Sequence, residues 1–225
     1  MTFSIAGRCA RTGMLGVAIT TSSIAVGARC PHVRAGSGAV ATQNVTDPSY
    51  GPRILNMLGA GLDAKAALDS ALSGQRFTDH RQITVVDSQG RTASHSGARM
   101  LGLHAVASGK NCIGAGNLLK SQEVPGAMTA MFETGEKLHL AERLLRALEA
   151  GRDAGGEEGP THSAALLIAH DLPFPLVDLR CDWHDADPVA ALRRLWAAYE
   201  PQMEAYRTRA INPETAPSYG VPGDK

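Results

Sequence analysis

The chain has 225 residues, 44% of them hydrophobic, enough for one substantial core, and 22 basic residues balance 22 acidic ones. That balance removes the electrostatic footprint of a nucleic-acid or anionic-membrane binder and points to a small neutral or zwitterionic partner. No basic, then apolar leader opens the chain and no stretch reaches about 18 uninterrupted apolar residues, so neither secretion nor a membrane span is expected and a cytoplasmic location is read.

In chain order, residues 3–6 alternate as a strand, 14–20 follow the turn signal Arg11-Thr12-Gly13 as a second, and 38–45 form a third, bounded by Gly36 and Pro48. The period then changes. Ile54, Leu55 and Leu58, then Leu62, Ala66, Leu68 and Leu72, follow helical spacing, with Asp63 as N-cap of the second of two helices. Strands return at 82–86 and 91–95 around the turn 87–90, with further short strands near 103–107 and 111–115. A second helical pair is predicted over 123–134 and 138–150, ending at a glycine-rich acidic loop, 151–160. Strands at 163–169 and 176–181 precede a last helix that opens at Asp187-Pro188, the aspartate as cap and the proline at the first helical position. Residues 1–211 read as one domain and 212–225, rich in Pro, Gly and polar residues, as an extended tail. Strands and helices come in groups instead of alternating strictly, which implies α+β with helices on the outer faces of antiparallel sheets, a four-layer αββα sandwich.

Cys9, Cys30, Cys112 and Cys181 show no CxxC pairing, so reduced, buried thiols are expected instead of a zinc cage or disulfide framework. Asp182, His184, Asp185 and Asp187 could together approach a cation, but a helix cap and a solvated loop account for them, and no metal or cofactor is expected. Gly36-x-Gly38-x-x-Ala41 matches a dinucleotide fingerprint only superficially, since no helix follows it.

The sharpest chemical candidate is Thr2. A hydroxyl is a poor nucleophile until a base takes its proton, and an α-amine, with a pKa of about 7.7–8.0, is a suitable base near neutrality. Removal of Met1 would give Thr2 both groups; while Met1 is attached, the Thr2 nitrogen is an amide and cannot serve.

Several segments, in order along nearly the whole chain, carry a resemblance: Thr2-Phe3-Ser4-Ile5, Ala35 through Gln43, Pro48-Ser49-Tyr50-Gly51-Pro52, His95-Ser96-Gly97, Gly116-Asn117-Leu118-Leu119 and Ala216 through Asp224. Together they resemble the domain of unknown function 1028 family, which is regarded as similar to the amino-terminal-nucleophile (Ntn) hydrolases, αββα sandwiches that cleave amide bonds. The resemblance implies Thr2 as nucleophile. Asn117, at an element end beside Gly116, is expected to donate to the oxyanion, while Ser22, Ser23, Thr42, Gln43 and His95 are candidate substrate-binding residues. Relatives often carry a cysteine shortly after the His-Ser/Thr-Gly turn; here Arg99 is followed by Met100, so no role of that cysteine transfers.

The expected function is an Ntn-hydrolase-like amidohydrolase acting on a small amide or acylated amino acid. The alternative is a non-catalytic protein of the same fold that binds a small metabolite or serves as an oligomeric interaction module. Leu192, Leu195, Trp196 and Tyr199 on the last helix, with the tail through Tyr219, suggest a homo-oligomer, dimer or higher.

Overall fold

The computed structural model describes residues 1–221; the end of the predicted tail, and the end of the last resemblance segment, lie outside the described residues. Among the described residues, ten strands form two antiparallel sheets. The six-stranded sheet takes β1 (Thr2–Arg8), β2 (Leu15–Thr21), β7 (Ala105–Gly109), β8 (Cys112–Asn117), β9 (Ser163–Ala169) and β10 (Val177–Cys181), in the order β10-β9-β2-β1-β8-β7. The four-stranded sheet runs in chain order through β3 (Pro31–Arg34), β4 (Gly38–Asn44), β5 (Arg81–Asp87) and β6 (Thr92–Ser96).

Strand alternation sorts the side chains into three apolar clusters. On one face of β1, Phe3 and Ile5 join Met128 and Phe132 of α3 (Val124–Thr134), Leu144 and Leu148 of α4 (Leu140–Asp153), and Leu192 and Trp196 of α5 (Pro188–Tyr199). Val40, Ile83 and Val85 of the smaller sheet pack with Ile54 and Leu58 of α1 (Tyr50–Gly59) and Leu68 of α2 (Ala64–Leu72). The third cluster joins the two sheets: Ala6, Val17, Ile19 and Ile113 from the larger, Ala39, Ala41 and Val86 from the smaller.

The helix starts follow local chemistry. The Asp63 side chain accepts from the Ala66 amide at 2.8 Å and Asp187 accepts from Ala190 at 2.9 Å, each satisfying a donor that the first helical turn leaves open. Two elements depart from the sequence expectation. β3 opens on Pro31 and has no alternating pattern; it sits at a sheet edge, where a missing N–H is tolerated, and is held only by β4. The single last helix is two, because Pro201 falls in a short 3-10 turn, Glu200–Gln202, after which α6 (Met203–Ile211) begins. Leu192 and Trp196 are buried in their own chain and offer no surface to a partner, while Leu195 is exposed.

All four cysteines are buried and unpaired. No helix among the described residues is long and apolar enough to cross a membrane.

Candidate active site

Thr2 opens β1 and pairs on one side with Thr21, the last residue of β2, and on the other with Asn117, the last residue of β8. Thr21 in turn pairs with Ser163, the first residue of β9. Directly opposed residues of antiparallel strands share a face, so four strand ends place Ser163, Thr21, Thr2 and Asn117 in one polar row. The row is inside the protein: Thr2 is 6% exposed and Asn117 fully buried. The Thr2 and Thr21 hydroxyl oxygens are 3.0 Å apart.

The smaller sheet holds this row from across the interlayer. Ser4 Oγ donates to Gln43 Oε1 at 2.6 Å, Gln43 Nε2 donates to Gln82 Oε1 at 2.7 Å, and Asn117 Nδ2 donates to the same Gln82 oxygen at 3.4 Å. Gln82 Nε2 completes the chain on the Gly116 carbonyl, 3.3 Å, and Ser96 Oγ, 3.2 Å. Asn117 is thereby oriented, and its Oδ1 is left buried with no hydrogen-bond partner among the described residues. An orphaned buried acceptor costs about 1–3 kcal/mol, a cost that marks places where a fold serves something besides its own stability.

Met1 covers Thr2. Thr2 Oγ donates to the Met1 carbonyl oxygen at 2.5 Å and Thr21 Oγ donates to that same oxygen, so two hydroxyls converge on one acyl oxygen. Beside it lies Glu157, in the glycine-rich loop after α4. Gly155 and Gly156, at φ 122° and 58°, turn the chain back, and Leu118 reverses just after Asn117 at φ 50°, a left-handed conformation costly for leucine. The two turns lock together: Lys120 N–H donates to Gly156 at 3.1 Å, Glu158 N–H donates to Leu118 at 3.0 Å, and Leu119 and Glu157 form a bridge. Glu157 is 3% exposed, and neither carboxyl oxygen makes a hydrogen bond of normal geometry among the described residues. Burial pushes its pKa up to about 8, against the opposing pull of the Met1 ammonium and the Ser22 amide. Glu157 lines a cleft of about 280 Å³ with Phe3, Lys120, Arg152, Gly159 and Thr161 among others, a lining that includes none of Thr2, Thr21, Asn117 and Ser163.

Of the residues singled out from sequence, Thr2 and Asn117 are cross-strand partners, Ser22 and Ser23 follow Thr21 at the rim of the row, and Gln43 lies in the network that orients Asn117. Two are placed elsewhere. Thr42 is tied to the Arg29 carbonyl at 3.4 Å and receives the Thr46 hydroxyl at 2.8 Å, on the face of β4 opposite Gln43. His95 Nε2 is 3.0 Å from the Thr78 carbonyl and pairs with Ile83, whose side chain belongs to the α1–α2 cluster. The acidic group near the last helix is absorbed locally. Asp182 pairs with Arg180, Asp185 accepts from Trp183, and Asp187 caps α5 while pairing with Arg152.

Sequence reasoning missed Thr21, Gln82, Ser163 and Glu157. The run Thr20-Thr21-Ser22-Ser23 signalled a hydroxyl-rich strand end, but only pairing shows that Thr21 faces Thr2. Nothing in the sequence separates Glu157 from the neighbouring Glu158, which is exposed.

A model described as a family of unknown function, DUF1028, matches residues 2–192. The crystal structure of protein SPO2555 from Silicibacter pomeroyi, itself assigned to DUF1028, superposes with a TM-score of 0.81 at 31% identity, covering 88% of each chain. Anbu (ancestral beta-subunit) from Yersinia bercovieri aligns over 91% of this chain and 97% of its own at 10% identity, with a TM-score of 0.40. No curated protein matches the chain.

Proposed function

This chain belongs to the DUF1028 family, a family of unknown function, and from its site we propose an Ntn-hydrolase-like amidohydrolase that cleaves a small amide or acylated amino acid. The reading includes the four-layer αββα arrangement. Removal of Met1 frees the Thr2 amine. Thr2 Oγ then attacks the carbonyl carbon while that amine, with a pKa of about 7.7–8.0, takes the hydroxyl proton and passes it to the leaving amine. Thr21 Oγ and Asn117 Nδ2, with a backbone N–H, stabilise the oxyanion, and water then releases the acyl group from Oγ. The observation that carries the reading is the place of Thr2 between Thr21, whose hydroxyl oxygen is 3.0 Å away, and Asn117, whose side chain the second sheet orients.

The other reading is a non-catalytic binding protein of the same fold, which follows if Met1 stays attached, because the Thr2 nitrogen is then an amide and cannot serve as base. Intact mass of protein from its native host, followed by amine-release assays on amides and acylated amino acids, separates the two. Loss of Met1 together with turnover that Thr2→Ala abolishes supports the hydrolase; complete retention of Met1 supports the binding protein.

The remaining parts of the reading are one domain over 1–211, a cytoplasmic location, and a homo-oligomer formed through the exposed Leu195 and Tyr206. Sedimentation of the purified chain tests the last.

A further inference from the structure

We propose that a cavity at the end of the molecule opposite Thr2 binds a phosphate group, free or carried on a small molecule, through Arg11, Lys137 and Arg143. Three connections and one helix build it: Arg11 lies between β1 and β2, Lys110 between β7 and β8, Glu136 and Lys137 between α3 and α4, and α4 itself adds Arg143. The cavity has a volume of about 310 Å³. β1 runs from Thr2 to Arg8, which at about 3.3 Å per residue puts the two sites roughly 20 Å apart or more, and neither needs the other.

The charges around this cavity do not cancel. Four cationic side chains line it, Arg11, Lys110, Lys137 and Arg143, against two carboxylates, Glu133 and Glu136. Lys110 engages both carboxylates: Glu133 accepts its backbone N–H at 2.6 Å, and Glu136 pairs with its ammonium at 3.3 Å. Arg11, Lys137 and Arg143 form no ion pair among the described residues. Arg143 is only 5% exposed. Its Nε and Nη2 donate to the Phe132 carbonyl near the end of α3, at 3.2 and 3.0 Å, and its guanidinium lies 3.9 Å over the Phe132 ring. Those contacts fix the group in place, but a helix end supplies only about half a charge, so a buried cation is left without a full counter-charge. Its third nitrogen, Nη1, has no oxygen acceptor among the described residues. Arg11 Nη2 reaches the Lys137 carbonyl at 3.5 Å, which brings these two exposed cations to one rim. Three cations arriving from separate elements suit a tetrahedral anion, which carries about −1.5 to −2 charges near neutrality and offers acceptors on several sides. A planar carboxylate meets one guanidinium fork at a time.

The test is calorimetric titration of the purified chain with inorganic phosphate, with glycerol 3-phosphate and with succinate, at one low ionic strength. Both phosphates are expected to bind more tightly than succinate, and added salt should weaken them. Tighter binding of glycerol 3-phosphate makes the ligand an organic phosphate; equal binding of the two makes it free phosphate. Arg11→Ala and Lys137→Ala should each weaken binding roughly tenfold, the value of one charge-assisted contact, and Arg143→Lys, which keeps the charge and loses the fork, at least as much. Lys65→Ala, at an exposed lysine of α2, should leave binding unchanged. Binding of neither phosphate, succinate bound as tightly as phosphate, or an equal loss in Lys65→Ala overturns the proposal, as does binding indifferent to Arg11 and Lys137. If Arg143→Lys does not fold, the two exposed positions decide. Amide turnover is not read in this experiment, so the hydrolase reading stands or falls separately.

Discussion

The interlayer between the two sheets is built from two materials. Around Ala6 it is dry, with Val17, Ile19, Ile113, Ala39, Ala41 and Val86 packed against one another; two residues earlier along β1, Ser4 enters a chain of hydrogen bonds through Gln43, Gln82 and Asn117, and two residues before that Thr2 pairs across the strands with Asn117. The dry half stabilises in proportion to apolar area removed from water, about 25 cal/mol per Å², and is tolerant of how that area is arranged. The wet half adds little net stability, since each bond replaces one to water and yields only about 0.5–1.5 kcal/mol, but it leaves few positions open to its side chains. Position is what a nucleophile needs. The two halves should therefore respond to substitution in different currencies, turnover on one side and stability on the other.

The largest effect is expected at the end of the wet half. Thr2→Ala, with loss of Met1 verified by mass, should reduce amide turnover by about 10⁴-fold or more while circular dichroism and melting temperature stay close to the parent. Thr21→Val, nearly isosteric, should lower kcat by about 10²–10³-fold as a lost oxyanion donor, and Asn117→Ala should fall in the same range. Unchanged kcat in both would move the oxyanion site away from these strand ends.

Glu157 sharpens the comparison through pH. Its carboxyl pKa is raised to about 8 in the folded chain, so the native state holds a proton that the unfolded state releases nearer pH 4.5. Its contribution to stability is thus intact below about 4.5, falls as pH rises, and is fully lost above about 8. Glu157→Gln, which cannot ionise, should match the parent at pH 4.5 and melt higher than the parent at pH 8.5, by an amount on the order of a few kcal/mol in denaturant titrations. Equal stability at both values would mean that the carboxyl is hydrated. The smallest effect belongs to the dry half: Ile113→Val should cost about 0.5–1.5 kcal/mol of unfolding free energy and leave kcat per folded molecule unaltered.

Much of the fold is legible because its signals are local. Asp63 and Asp187 announce helix starts through their own side chains, and the nearly continuous apolar run 163–169 coincides with β9. Elements without such signals are missed. β3 is four residues at a sheet edge, paired only with β4, and the helix after Asp187 carries no apolar break at Pro201, only the break in backbone donors. The site divides in the same way. Thr2 is visible because its chemistry needs nothing but its place beside Met1, and Asn117 because a glycine and an element end flank it. Thr21 and Gln82 are ordinary strand residues until register places them.

By itself, then, the sequence determined the kinds of element, the direction each strand presents its apolar side chains, and a hydroxyl residue beside the first methionine. These follow from hydrogen bonds and periodicities that span a few residues. Tertiary structure alone decided that four strand ends meet in one polar row, that Gln43 and Gln82 reach across from the second sheet to orient Asn117, and that Glu157 and not Glu158 is buried beside Met1. The physical reason is that these contacts join residues 19 to 156 positions apart, and their energy is realised only once both sheets have formed and excluded water between them.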